Sequence, residues 1–215
     1  MKKVLSIILA VFLCFSLAAC GGDKDNSSGN TQEVKNEKIN LGVSYIGQEI
    51  TYGSYIKAEG YGYEPLQWEV LDIVDGKALI ISKYAIEPKG NYDEDSIDNY
   101  MSILTDRIFT ESEKQLIVPQ VINGEQARLF LLDSAEVEKY MPGEDNLLRF
   151  VQATGYATSE GVEIYTNVKL AGCCNWLLRD YVYVGGQLGN AGRICTGNRP
   201  HYGYGIRPAV WVNIL

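Results

Sequence analysis

A thiol at Cys20 follows Leu17-Ala18-Ala19 at the end of an apolar run, Val4 to Leu17, which itself follows the basic start Met1-Lys2-Lys3. Small residues at Ala18 and Ala19 fit a peptidase site, and the sulfur of Cys20 is the atom that accepts a diacylglyceryl group before cleavage makes it the first mature residue. The run is shorter than the roughly 18 apolar residues that cross a bilayer. Residues 1–19 are therefore expected to be a lipoprotein signal peptide rather than a spanning helix, with an ordinary cleaved signal and an incidental cysteine as the alternative. One acyl chain anchors only marginally, so two or three chains on Cys20 would hold the protein durably on the extracytoplasmic face of the cell membrane.

A second stretch has the composition of a ligand surface. Thr196-Gly197-Asn198-Arg199-Pro200-His201-Tyr202-Gly203-Tyr204 combines glycines with amide, guanidinium and aromatic side chains. Tyrosine faces beside Asn and Arg donors suit glycans or peptides, and Asn198, Arg199, His201 and Tyr202 are the expected contacts. The same residues also suit a loop that packs on its neighbours. Trp176 and Arg179 join the candidates, because an arginine in an apolar, aromatic setting serves as an anion or sugar contact. The competing reading, for Arg179 and for Arg207 beside Trp211, is a buried guanidinium that bonds loop carbonyls and a carboxylate while stacking on a ring.

Other chemistries find less support. Asn91, Asp93, Asp95, Asp98 and Asn99 offer oxygen ligands for calcium, but the spacing lacks the central glycine and distant Glu of an EF-hand, so a solvated acidic loop or helix cap is expected and no metal or cofactor is. Zinc has no CxxC pair, and His201 is the single histidine. No Gly-x-Ser-x-Gly elbow, phosphate-cradling loop or placeable triad points to an enzyme. Of the five cysteines, Cys14 would leave with the signal and Cys20 take the lipid. An extracytoplasmic setting then permits a bridge from Cys195 to Cys173 or Cys174, leaving one thiol free, and a structural disulfide or buried thiols are the two readings.

These groups need a scaffold. Residues 20–40 are polar, with Val34 and Ile39 nearly the only large apolar side chains, and read as a flexible tether. Basic residues number 19 and acidic ones 27, and loss of Lys2 and Lys3 with the signal leaves 17 against 27. So acidic a chain argues against nucleic acid and leaves attachment to the lipid on Cys20. Residues 41–215, about 175, suffice for one domain with its own core. Strands are expected over Gln48–Tyr55, Leu66–Ile73 and Ala78–Ser82, the last two joined at Asp75-Gly76. Two helices follow between Asp95 and Val118, the second capped by Thr110 with Glu113, then a strand Ala127–Leu132 and a helix capped by Asp133 with Glu136. Strands and glycine-rich loops fill the rest, including Tyr181–Val184, Arg193–Cys195 and Ile206–Ile214. The pattern is an α+β domain with a mainly antiparallel sheet, two or three short helices and long C-terminal loops.

Trp68-Glu69-Val70-Leu71-Asp72, Ala78-Leu79-Ile80-Ile81-Ser82, Phe130-Leu131-Leu132-Asp133-Ser134 with Glu136, Thr154-Gly155-Tyr156-Ala157, Trp176-Leu177-Leu178-Arg179 and Gly205-Ile206-Arg207-Pro208-Ala209-Val210-Trp211 occur in this order. Together they resemble the bacterial domain of unknown function 6273 family, over nearly the whole domain. The closing element also resembles the Gly-Phe-Arg ending of the C-type-lectin-like fold used by formylglycine-generating enzymes. Two departures stand out: the family's Trp and Ser-Thr-Leu-Arg run before the first helix is replaced by Asp93 to Met101, and Asp180-Tyr181 replaces the Ser-Pro-Gly that follows the arginine matching Arg179. The resemblance implies a non-catalytic, lectin-like module on a surface-anchored lipoprotein, binding a glycan, a cell-wall component or a protein ligand. A sulfur- or metal-dependent oxidase, or a structural envelope protein, are the alternatives it leaves open.

Overall fold

The computed structural model describes residues 39–57, 60, 62–90, 94–166, 171–196 and 202–214. The segments expected to be signal and tether, with Cys20, lie outside these residues apart from residues 39 and 40, and Lys38–Leu215 form one compact unit.

The chain opens on strands β1 (Glu49–Ile56), β2 (Tyr63–Val74) and β3 (Lys77–Ser82), antiparallel throughout. Asp75 and Gly76 turn the β2–β3 hairpin with φ of 49° and 73°, the pair of positive values that a two-residue turn needs and that Asp-Gly adopts readily. After β4 (Glu87–Pro88) come helices α1 (Glu94–Ile108) and α2 (Glu111–Lys114), separated where Thr110 and Glu113 form a reciprocal capping box. The hairpin β5 (Gln120–Ile122) and β6 (Glu125–Ala127) precedes β7 (Leu129–Phe130) and α3 (Ser134–Tyr140), which Asp133 and Glu136 cap in the same way. A 3-10 turn at Leu147–Arg149, β8 (Val151–Gln152), α4 (Gly155–Ser159) and β9 (Ile164–Tyr165) lead to the late strands β10 (Cys173–Cys174), β11 (Trp176–Leu177), β12 (Tyr183–Val184), β13 (Ile194–Cys195), β14 (Gly205–Ile206) and β15 (Ala209–Asn213).

Two five-stranded sheets dominate, ordered β1-β2-β3-β15-β7 and β13-β12-β11-β14-β4. In the first, β3 and β15 are central and buried on both faces, because alternate side chains point to opposite sides of a strand. Ala78 and Ile80 with Val210 and Val212 enter one core, against Leu104, Ile108 and Trp68. Leu79 and Ile81 with Ala209 enter the other, against Val137, Met141 and Trp176. This double burial explains why Ala78 to Ile81 read as a continuous apolar run. Among the described residues no helix is long and apolar enough to cross a membrane.

The α+β, mainly antiparallel expectation holds, with three local differences. Among the described residues four α-helices are present instead of two or three; the additional one, α4, is a single turn capped by Thr154, hidden in the sequence by Gly155. The strand expected over Ala127–Leu132 divides at Arg128, where the chain passes from the β5–β6 hairpin to the large sheet. The strand expected over Ile206–Ile214 divides at Arg207-Pro208 for a related reason: Pro208 has no N–H for a ladder, and it marks the crossing from the second sheet, through β14, to the first, through β15.

Candidate functional site

The late strands gather a patch of tyrosines at the two ends of the 197–201 segment. The rings of Tyr183, on β12, and Tyr204, just before β14, lie 4.5 Å apart between centroids at 47°. Cys195 is directly opposite Tyr183 in the β12–β13 register, and the Tyr183 hydroxyl is hydrogen-bonded with both Tyr204 and Cys195. Burial, then the bond to Tyr204, pushes the Tyr183 phenol well above its ordinary range, so it stays protonated. Tyr202, two residues before Tyr204 in the chain, has 57% of its surface exposed.

Main-chain bonds hold these residues in place. Lys89 and Gly90 donate their N–H groups to the carbonyls of Tyr204 and Tyr202 at 2.6 and 2.9 Å, and Glu163 donates to Gly203 at 3.0 Å. A Cβ at Gly203 would come within 2.9 Å of Glu163 Cγ and 3.1 Å of the Gly161 carbonyl, so glycine lets the three segments close without displacing the Glu163 side chain. The Lys89 ammonium lies 5.4 Å from the centre of the Tyr181 ring, within cation–π reach. Buried Asn175 completes the frame: its side chain donates to the Tyr165 hydroxyl at 3.2 Å and accepts from Gly186 N at 2.7 Å, while its carbonyl accepts from Gly205 N at 2.7 Å. Tyr165, also hydrogen-bonded with Glu163, is raised mainly by burial.

The sequence-predicted contacts separate. Tyr202 belongs to the patch, and Asn198, Arg199 and His201 lie outside the described residues. Trp176 is fully buried, its indole N–H donating to the Arg149 carbonyl at 3.0 Å, so it packs the core and offers no surface to a ligand. Arg179 serves α3 instead: it donates to the Leu131 carbonyl at 2.8 Å and pairs with Asp133 at 2.5 Å and Glu136 at 3.2 Å. Both arginines thus follow the clamp reading, Arg207 donating to the carbonyls of Ser82 and Leu148 at 2.7 and 2.6 Å. Tyr183, Tyr204, Tyr165, Lys89 and Glu163 were not singled out in the sequence. The recurrence of tyrosine on both sides of the Gly-rich segment was the available signal; their convergence depends on pairings between strands of two residues.

Of the two readings for the cysteines, the thiols and not the disulfide are found: Cys173, Cys174 and Cys195 are all free. Cys195 pairs with Tyr183 on an edge strand, whereas Cys173 and Cys174 are buried on β10. Burial pushes the Cys174 thiol up to about 12, which suppresses the thiolate that sulfur chemistry requires. Among the described residues no three His, Cys, Asp or Glu side chains converge on a possible metal position. Asn91 and Asp93 of the proposed calcium loop, and the side chain of Asp95, lie outside those residues; Asp98 accepts from Asn123 at 3.2 Å.

One buried carboxylate adjoins the site. Glu87, on β4, accepts from the hydroxyls of Tyr55 and Tyr100, with Arg107 of α1 bonded in turn to Tyr55. Because β4 pairs with β14, this network ties α1 to the strand that directly follows Tyr204. Comparison with protein-family models, curated proteins and solved structures gives no match to the chain.

Proposed function

We propose that the chain is an exported lipoprotein, anchored through a lipidated Cys20, whose domain is a non-catalytic binding module that recognises a glycan through the tyrosine patch around Tyr202. The observation that carries this reading is the exposed Tyr202 two residues from Tyr204, whose ring packs on Tyr183, at the edge of a sequence segment rich in hydrogen-bonding residue types. Rigid aromatic rings offer an apolar face to the C–H side of a sugar and a hydroxyl to its rim, at low conformational cost. The order of motifs that resembles the domain of unknown function 6273 family, and the closing element's resemblance to the C-type-lectin-like fold, motivate the lectin-like part of this reading.

The test is a binding screen of glycans and peptidoglycan fragments on the protein, with and without calcium. Saturable binding that Tyr202→Ala abolishes is the expected result. A ligand whose affinity is the same in Tyr202→Ala would remove the patch from the reading, and no glycan binding at all would leave a protein ligand as the second candidate.

A further inference from the structure

A cleft of about 740 Å³ lies between α1 and the β5–β6 hairpin, neither of which contributes to the tyrosine patch. Asp98, Ser102 and Asp106 line it from α1, and their spacing of four puts them on one helical face. Every residue from Glu125 to Leu129 lines the opposite side, joined by Ile122 and Asn123 at the turn, whereas Gln120 and Val121 of β5 do not. The outer edge of β6, rather than a face of the hairpin, therefore borders the cleft.

That edge has main-chain groups to offer. Asn123 and Gly124 turn the hairpin with φ of 53° and 86°, a two-residue turn whose flanking residues, Ile122 and Glu125, form the hydrogen-bonded pair. Pairs alternate along an antiparallel ladder, so Val121 and Gln126 form the non-bonded pair, and the N–H and C=O of Gln126 point outward. Arg128 follows two residues later in a bend, and no hydrogen bond or ion pair engages either Gln126 or Arg128 outside the ladder. The main chain of α1 is satisfied within its helix. A strand entering the cleft would therefore bond to β6 and lay its side chains against α1.

Charge selects the strand. Asp98 and Asp106 of α1 lie across the cleft from Arg128, and Glu125 lies on the Arg128 side; of these three carboxylates, among the described residues only Asp106 has a cationic partner, Lys114 at 2.6 Å. The chain as a whole is also acidic, at −8. We infer that the cleft takes an extended basic segment of a partner protein, added as a third strand through the main chain of Gln126, with lysine or arginine side chains turned toward Asp98, Asp106 and Glu125. The exposed edge is thereby a docking surface rather than an unprotected one.

The experiment uses the full-length protein in detergent and two fluorescent peptides of about ten residues, one alternating Lys with Val and one alternating Glu with Val. Anisotropy should show saturable binding of the lysine peptide and at least about tenfold weaker binding of the glutamate peptide. Exchange of the Gln126 amide should slow on binding. Gln126→Pro removes an outward N–H that the hairpin does not use and should weaken binding about tenfold with an unchanged unfolding midpoint. Glu125→Lys should weaken it similarly and flatten its salt dependence. Equal binding of both peptides, no binding of the lysine peptide, or undiminished binding in Gln126→Pro would overturn the proposal. So would a Gln126 amide already protected before peptide is added, which would assign the edge to the chain's own residues 20–38.

Discussion

The guanidinium of Arg207 lies 5.1 Å from the centre of the Trp176 indole and joins three segments that share no strand pairing. It holds the Ser82 carbonyl at the end of β3 and the Leu148 carbonyl of the 3-10 turn, while the indole beneath it bonds to Arg149. Burial lowers the Arg207 pKa to about 10, with Glu69 partly offsetting the loss of hydration, so the group remains charged at neutral pH. An ammonium cannot reproduce two directed N–H donors and a flat face. Arg207→Lys should therefore cost about 2–4 kcal/mol, since it leaves buried carbonyls and a buried charge poorly matched. Urea unfolding measures this, and a loss under about 1 kcal/mol would show that the clamp is not where the two layers are joined.

Glu87 gives the fold a pH signature. Burial raises its carboxyl above the ordinary 4.5, against the lowering effect of Tyr55, Tyr100 and Arg107. A folded-state pKa above the unfolded one means that the folded chain holds the proton more tightly, so Glu87 contributes stability that is complete below pH 4.5 and is lost as pH rises through the folded value. Glu87→Gln removes that titration. The stability difference between variant and parent should shift in favour of the variant as pH rises from about 4 to about 8. Thermal unfolding of both proteins across that range is the check, and a difference flat in pH would mean that Glu87 does not titrate in the folded protein.

Much of this architecture was legible because it is local. Asp75-Gly76 named its own turn, and Thr110 with Glu113 and Asp133 with Glu136 named their helix starts, since each is a contact within four residues. The apolar run Ala78 to Ile81 named a central strand. The site was less legible. Trp176 and Arg179, adjacent to apolar residues in sequence, point into different environments that only the pairing of β11 with β12 and β14 defines. The tyrosine patch was hidden because strands of two residues have no periodicity to read, and the Cys195 disulfide failed because its strand pairs with Tyr183 rather than with β10.

Two glycines in one loop should respond very differently to alanine. A Cβ at Gly186 would come within 2.2 Å of the Cys174 carbonyl oxygen, a main-chain atom that cannot swing aside. Gly186→Ala should cost about 3 kcal/mol or more and disturb the bond from its N–H to Asn175. Gly189 has φ of +97° but open space around a Cβ, so Gly189→Ala should cost only the backbone strain, about 1 kcal/mol. Equal losses in the two variants, compared by chemical unfolding, would show that close packing of β10 against Gly186 is not what holds the loop.

The three free thiols differ in access, and alkylation rates should follow that difference. Cys173 and Cys174 are fully buried on β10, and desolvation raises both thiols. Cys195 is partly exposed on the edge strand β13, its sulfur 3.6 Å from the Arg193 carbonyl and beside the Tyr183 hydroxyl. Alkylation needs a thiolate within reach of reagent, so in the native protein Cys195 should react at least about tenfold faster than either β10 cysteine, whose labelling must wait for local opening. Peptide mapping after timed labelling distinguishes the sites. The Tyr183→Phe variant sharpens the test: it removes the hydroxyl next to the sulfur without exposing β10, so only the Cys195 rate should change. Rapid labelling of Cys174 in the parent would instead place β10 at the surface and dismantle the frame that Asn175 builds beneath the tyrosine patch.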